Sequence, residues 1–446
     1  MKSSFLSDLK NKKILTGIDL AIKKISTDTR SISKGDFYLP LKGENFDGEK
    51  FISNAIEQGA IGFLTTDLAI AESYLADERV QIIAVVPDTK LAYMELAAAR
   101  IKKNGYKVVG ITGSSGKTTT KELIFSVVSQ DFKTHKTSKN HNNEIGFCQT
   151  VFEAPCGTEV LILEIGMRGL GEIELIAQFA NPDIAVITNV GTAHIGRLGS
   201  RENIALAKCE IAKFLKQDGV FVSKEDDLIK KTVLFSGKKV YYSLADVNIV
   251  SEEIAKTVFK YKDYEYILPI EGRHNIENSL AAINVGLALG MSCKDISKGL
   301  FSYKTIENRW NIIDTDWCKI INDSYNANPE SMKATIDTVL NLYPKAVLIL
   351  GDMGELGEDS ISLHNAVGQF INEHCKLQKE TLVLTVGEMA KEISSSITNC
   401  RTLNFRENKS VSEYILKNKN IGNILFFKAS RSMRFEEIIA QIKGDV

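Results

Sequence analysis

The chain has 446 residues, more than one ordinary core accommodates, and a rule of thumb of about 150 residues per domain predicts roughly three. Its hydrophobic share of 44% and charged share of 25% are those of a soluble globular protein, and 55 basic against 56 acidic residues leave no global field to recruit nucleic acid or an anionic membrane. Seven scattered cysteines without a Cys-x-x-Cys pair argue for reduced thiols in a cytoplasm and against zinc, and without a signal-peptide core or a run of about 18 apolar residues, membrane insertion is not expected.

Residues 1–105 read as a small α/β domain. Residues 36–41, 61–66 and 80–86 predict short buried strands, residues 51–58 a helix and residues 91–102 an amphipathic helix. Between them, Thr27-Asp-Thr-Arg30 and Gly43-Glu-Asn-Phe-Asp-Gly48 read as polar turns.

A second domain, residues 106–309, opens on Val108-Val-Gly-Ile-Thr-Gly-Ser-Ser-Gly-Lys-Thr-Thr-Thr120. This is the order of strand, phosphate-cradling loop and helix start, although the first glycine of the common Gly-x4-Gly-Lys-[Ser/Thr] pattern should fall at Ile111. In the ligand reading, Gly113 to Gly116, with Ser114 and Ser115 between them, bring backbone amides to phosphate oxygens. Lys117 reaches the terminal phosphates, and Thr118, next to Thr119, ligates Mg2+. A Gly/Ser turn before an ordinary helix is the plainer alternative. Strand and helix then alternate through residues 159–164, 172–179, 184–188 and 201–216, which predicts a largely parallel sheet with ligands at the strands' carboxyl ends. Further strands are expected at 240–242 and 264–270 and an alanine-rich helix at 275–289. The third domain, residues 310–446, alternates again: strands at 319–321, 346–350, 381–386 and 424–427, helices at 329–342 and 363–373, and a final helix. It is Rossmann-like but lacks Gly-x-Gly-x-x-Gly, so a dinucleotide has no support.

Several side chains at predicted strand ends can do chemistry. Glu164 ends an apolar strand and could hold Mg2+, or simply be a solvated turn acid. His194, in the glycine-flanked loop Thr188-Asn-Val-Gly-Thr-Ala-His-Ile-Gly196, suits a metal or phosphate. Lys208 falls on the apolar side of its helix with Ile204 and Ile211. Its plainer reading is a snorkelling lysine paired with Glu210 or Glu202; the other is a desolvated neutral amine that takes up carbon dioxide as a carbamate and becomes an oxygen ligand. The cluster Gly272-Arg-His-Asn-Ile-Glu-Asn278 could read a base or cap a helix. In Asn322-Asp-Ser-Tyr-Asn-Ala-Asn-Pro329, Asp323 could accept from a ribose hydroxyl or order a phosphate-bound water, Asn326 could assist it, and Asn328 could cap a helix.

Taken in order, Thr112-Gly-Ser-Ser-Gly-Lys-Thr-Thr119, Glu164-Ile-Gly-Met-Arg-Gly169, the His194 loop, Ala207-Lys-Cys-Glu-Ile211, Gly272-Arg-His-Asn275, Asp323-Ser-Tyr-Asn-Ala-Asn-Pro-Glu-Ser-Met332 and Leu350-Gly-Asp-Met-Gly-Glu-Leu-Gly357 resemble the Mur ligases of bacterial cell-wall synthesis, from about residue 26 to the end. The resemblance implies three domains: an N-terminal UDP-sugar-peptide domain, a central P-loop-type mononucleotide-binding domain, and a Rossmann-like domain for the incoming dipeptide. It implies that ATP phosphorylates the terminal carboxylate of UDP-N-acetylmuramoyl-tripeptide and that the amine of D-alanyl-D-alanine attacks the acyl phosphate. It assigns Lys117 and Thr118 to the phosphates, Thr118 with Glu164 to one Mg2+, and His194 with a carbamylated Lys208 to a second Mg2+. It gives Asn275 to adenine, and Arg309, Asp323 and Asn326 to completing the nucleotide site. Substrate contacts are implied at Thr29, Arg30, Asp47, Asn140, Asn143, Arg168, Lys428 and Arg431. A cytoplasmic monomer is expected.

The chain departs from the family pattern at Lys139, Cys148 and Ala429, where glycine, proline and glycine are usual. The rival readings are a Mur-type ligase adding a single amino acid, a folylpolyglutamate-synthase-like enzyme, and an ATP-binding switch or kinase. The segment 323–332 argues against the first two, and Glu164, His194 and Lys208 together argue against a switch.

Overall fold

The computed structural model describes residues 3–16, 20–43, 45–138, 140–343, 345–374 and 381–444; Lys139 lies outside them. The chain divides into two compact units, one of Met1–Val109, Lys133–Ile165 and Leu175–Pro182, the other of Gly110–Phe132, Gly166–Glu174 and Asp183–Val446.

The strands of the first unit are β1 (Lys13–Thr16), β2 (Ile25–Ser26), β3 (Phe37–Tyr38), β4 (Lys42–Gly43), β5 (Phe46–Asp47), β6 (Gly62–Thr65), β7 (Ile82–Val85), β8 (Lys107–Thr112, whose last residues belong to the second unit), β9 (Thr134–Lys136) and β10 (Val160–Glu164). One sheet has the order β1-β7-β6-β3-β2, parallel except for β1 against β7. A second stretch runs β8-β10-β9, with β9 and β10 parallel. The sheet packs Tyr38, Phe63 and Ile83 against Ile52, Ala55 and Ile56 of the helix Ile52–Glu57, and each large apolar side chain so buried contributes about 1.5–3 kcal/mol. The strand expected over 36–41 is only Phe37–Tyr38, because Pro40 has no N–H to continue a ladder. Residues 43–48 are more than a turn: β4 and β5 pair antiparallel. The helix Thr89–Asn104 starts where the Asp88 carboxylate accepts the amides of Lys90 and Leu91, and it stops at Gly105.

In the second unit, β11 (Ile184–Ile187), β12 (Val220–Lys224) and β13 (Lys238–Tyr242) are parallel and continue the order β8-β11-β12-β13. β14 (Asn248–Glu253), β15 (Lys256–Tyr261) and β16 (Tyr264–Leu268) form an antiparallel meander of which only the last strand was predicted. A six-stranded sheet follows from β17 (Asn311–Asp314), β18 (Lys319–Asn322), β19 (Val347–Gly351), β20 (Leu382–Val386), β21 (Arg401–Phe405) and β22 (Ile424–Lys428). Its order is β17-β18-β22-β19-β20-β21, parallel except for β17. β19 and β20 are buried throughout, as parallel strands covered on both faces must be. The helix expected over 201–216 is shorter. It runs Arg201–Cys209 and tightens into a 3-10 turn at Glu210–Ala212, where the buried Glu210 carboxylate accepts the amides of Gly171 and Glu174.

Candidate active site

The phosphate loop is built as its residues require. β8 ends at Thr112, the chain turns through Gly113 to Gly116, and the helix Lys117–Val128 begins. Gly116 sits in the left-handed region (φ 75), and a Cβ there would lie 2.5 Å from Asn278 Oδ1. Thr188 and Asn189, after β11, buttress the loop. The Thr188 hydroxyl donates to the Ser115 carbonyl at 2.6 Å, Asn189 Oδ1 accepts the Ser115 amide at 3.0 Å, and the Asn189 carbonyl accepts the Ser114 amide at 3.1 Å. The Ser114 hydroxyl accepts the Gly191 amide at 2.9 Å. Two loop amides are thereby spent on holding its shape, and the loop runs into a helix start, the kind of terminus that binds anions, beside half-buried Lys117, Thr118 and Thr119. Lys117 Nζ donates to the Gly113 carbonyl at 2.7 Å, folded back over the loop.

A Gly116→Ala substitution adds about 1–2 kcal/mol of backbone strain to a steric clash. It is expected to weaken ATP binding by about tenfold or more, read by calorimetric titration with a nonhydrolysable ATP analogue; unchanged affinity would sink this account of the loop.

Lys208 is fully buried on the helix Arg201–Cys209. Its amine makes no ion pair or hydrogen bond among the described residues. Burial, then the nearby charge of Lys117, push it well below its ordinary basicity. Neither expected partner is paired with it: the Glu210 carboxylate accepts the Gly171 and Glu174 amides, and Glu202 is exposed. His194 caps the short helix Ile195–Leu198 in a left-handed conformation, with Nδ1 2.6 Å from Glu355 Oε2. The close approach of His194 is the main reason the Glu355 carboxyl is held below its usual range. Glu164 is the buried last residue of β10, and its amide donates to Thr137 Oγ1 at 3.1 Å.

The remaining expected residues fall as follows. Asn275 is buried in the first turn of the helix Arg273–Ala288, its Nδ2 donating to the Glu271 carbonyl at 2.7 Å. The Arg309 guanidinium lies 4.0 Å over the Tyr325 ring. Asp323 is ion-paired with Lys428, whose buried amine also reaches the carbonyl of the exposed Asn326 at 3.4 Å. The fold thus joins two residues assigned separately, one to nucleotide and one to substrate. Arg431 is exposed and pairs with Glu436 at 3.3 Å. Arg168 is exposed, and its amide donates to Glu172.

In the first unit, Arg30 forks onto Asp28 at 2.7–3.1 Å beside Thr29, and Asp28 borders a cavity of about 810 Å³ shared with Ser26, Tyr93, Arg100 and Phe152. Asp47 caps a 3-10 turn and borders a second cavity, of about 600 Å³, with Lys42, Glu49 and Thr66. Asn143 caps the helix Glu144–Glu153 by accepting the Gly146 amide, while Asn140 is exposed.

Among the described residues, no three His, Cys, Asp or Glu side chains form a metal-holding group. Of the residues expected to serve Mg2+, Thr118 and Glu164 carry the oxygen donors that this cation prefers, and His194 a ring nitrogen. Thr188, Asn189, Asn278, Glu330 and Glu355 had no assigned role in the sequence, although all lie inside the quoted motifs.

Three family models match in succession: the Mur ligase family catalytic domain over residues 21–106, the Mur ligase middle domain over 111–286, and the Mur ligase glutamate ligase domain over 308–431. The UDP-N-acetylmuramoyl-tripeptide--D-alanyl-D-alanine ligase of Bacillus subtilis (strain 168) is 38% identical over 435 residues, covering 94% of this chain and 93% of the relative. Among solved structures, MurF from Acinetobacter baumannii superposes with a TM-score of 0.84 at 29% identity, covering 96% of this chain and 95% of that one. The Thermotoga maritima MurF ligase in complex with ADP superposes with a TM-score of 0.83 at 26% identity, covering 95% and 97%. The chain belongs to the Mur ligase family.

Proposed function

We propose that the chain is the ATP-dependent ligase that joins D-alanyl-D-alanine to UDP-N-acetylmuramoyl-tripeptide in peptidoglycan precursor synthesis. The reaction class follows from the near full-length likeness to ligases of that activity and to a nucleotide-bound relative. The observation that carries the site reading is the fully buried amine of Lys208, unpaired among the described residues and near the charge of Lys117, an arrangement that a simple nucleotide switch does not need.

A carboxylate is a poor electrophile, so ATP transfers its γ-phosphoryl group to the tripeptide's terminal carboxylate and ADP leaves. The dipeptide amine then adds to the acyl carbon, and phosphate departs as the amide forms. Lys117 offsets charge on the transferring phosphoryl group, and the amides at the helix start hold the phosphate oxygens. The Lys208 amine, its basicity lowered by burial, adds as the free base to carbon dioxide with loss of a proton, giving an anionic carbamate where an ammonium would repel Lys117. Thr118, Glu164, His194 and that carbamate are the proposed Mg2+ ligands; bound Mg2+ would supply electrophilic screening of phosphate charge. Asn275 is assigned to adenine, with Arg309, Asp323 and Asn326 closing the nucleotide site.

Domains at residues 1–105, 106–309 and 310–446, for the UDP-sugar peptide, ATP and dipeptide respectively, are supported by the three successive matched stretches. Thr29, Arg30, Asp47, Asn140, Asn143, Arg168, Lys428 and Arg431 are the proposed substrate contacts. No helix among the described residues is long and apolar enough to cross a membrane, and we place the enzyme in the cytoplasm as a monomer. Phosphate release that requires both the UDP-linked tripeptide and D-alanyl-D-alanine is the expected result. Turnover indifferent to the dipeptide would instead identify a kinase or hydrolase.

A further inference from the structure

The loop that carries His194 is gripped by two carboxylates from beyond residue 309. Glu330, in the first turn of the helix Pro329–Leu342, accepts the Thr192 amide at 2.9 Å and the Thr192 hydroxyl at 3.1 Å. Glu355, in the loop after β19, places Oε2 2.6 Å from His194 Nδ1, and its backbone carbonyl accepts the Gly196 amide at 3.3 Å. The two backbones are in contact there: a Cβ on Gly196 would lie 2.6 Å from the Gly357 nitrogen. His194 itself is held at φ 67, a conformation that costs a non-glycine residue about 1–2 kcal/mol, so its local sequence does not hold it there unaided. A histidine that ligates through one ring nitrogen must keep its proton on the other, and a carboxylate on that second nitrogen fixes both tautomer and ring plane.

We propose that Glu355 is a positioning residue for His194: it accepts the Nδ1 proton, leaves Nε2 as the lone-pair nitrogen, and together with Glu330 makes the geometry of the His194 loop depend on the seating of the C-terminal segment. The inference rests on the ligand role proposed above for His194. A purely structural salt bridge is the rival account. The Glu355 side chain is 50% exposed and that of His194 19%, and so exposed a pair contributes little to stability.

The test uses the full chain. Glu355→Ala is expected to lower kcat by about 10- to 100-fold, with the KM for ATP within about threefold of wild type and the melting temperature nearly unchanged. Glu355→Gln, whose amide oxygen still accepts, should recover most of the loss. Gly196→Ala, which removes no functional group but forces the two loops apart, should behave like Glu355→Ala. In nucleotide-free and metal-free protein labelled with 15N-histidine, the His194 ring is identified by its disappearance in His194→Ala. At alkaline pH it should carry its proton on Nδ1 in the wild type and in Glu355→Gln, and shift toward Nε2–H in Glu355→Ala. An Nε2–H ring in the unmutated protein overturns the proposal without any variant, as does a Glu355→Ala enzyme with unchanged kcat and unchanged tautomer. A fully active His194→Ala enzyme overturns instead the ligand role on which the proposal rests.

Discussion

Lys208→Ala is expected to retain no more than about one hundredth to one thousandth of the wild-type rate of dipeptide-dependent phosphate release, the scale on which removal of a single electrostatic partner acts at a buried site. The amine is fully buried, has no carboxylate partner among the described residues and feels the charge of Lys117. As an ammonium it would pay desolvation and repulsion together. As a carbamate it would turn that repulsion into attraction and present two oxygens. Alanine leaves a space the size of the lost chain, so formate, acetate or propionate should restore part of the rate in proportion to how well each fills it. A carbamate carbon enriched from 13C-bicarbonate should be visible by NMR in the wild type and absent from Lys208→Ala. Full activity of Lys208→Ala removes the residue from the mechanism.

The same burial sets a pH dependence of stability. In buffer freed of carbon dioxide, the unfolded chain binds a proton at Lys208 up to its ordinary pKa of 10.5, whereas the folded chain releases it at lower pH. Between those two values the unfolded state holds the extra proton, so folded stability rises as pH rises toward 10.5. Lys208→Met should flatten that part of the profile; equal slopes for the two proteins, measured by urea unfolding across the range, would contradict the assignment.

Lys117→Ala is expected to cost a comparable factor, about 100- to 1000-fold in kcat, with a smaller rise in the KM for ATP. In the present structure its amine rests on the Gly113 carbonyl at 2.7 Å, a weak neutral acceptor that an incoming phosphate can replace. The ordered loop does not depend on that contact, since Thr188, Asn189 and Ser114 hold it independently. Nucleotide binding should therefore survive better than turnover. Removing Lys117 also removes a positive neighbour from Lys208, which raises the basicity of Lys208 and disfavours the carbamate. The two substitutions should thus be less than additive. Strict additivity of the two losses would show that the residues act independently.

Much of this was legible in the chain itself. Residues such as Val160-Leu-Ile-Leu-Glu164 form a buried parallel strand because a short β-branched and aliphatic run ending in an acid has few other ways to bury itself. The helix Pro329–Leu342 lies where Asn328 and Pro329 announce a cap and a first turn, and the structure adds Ser331 as the reciprocal partner in the capping bonds. The phosphate loop is likewise local chemistry: glycine supplies the left-handed turn, and the helix start supplies amides and a lysine. Where the local signal was weak, the reading fell short. β14 is largely polar and β15 has no clean alternation, and the helix after Ser200 ends at Cys209, where Glu210 turns to serve two distant amides.

The fold-dependent part of the site was not legible, for a definite reason. Periodicity reports which face of an element is apolar, but not what is stacked on that face. Lys208 could be either a snorkelling surface lysine or a buried bare amine until its helix was packed and Glu210 was seen to be engaged elsewhere. The pairing of Asp323 with Lys428 spans 105 positions, the bond from the Thr120 hydroxyl to Asn278 spans 158, and the grip of Glu330 on Thr192 spans 138. No propensity or motif spacing encodes such contacts, because each is chosen by how sheets and helices stack after the local elements exist. The sequence by itself therefore determined the nucleotide loop, the α/β alternation and the family. Only the tertiary structure decided which charges are desolvated, which carboxylates are already occupied, and that the His194 loop is held by Glu330 and Glu355.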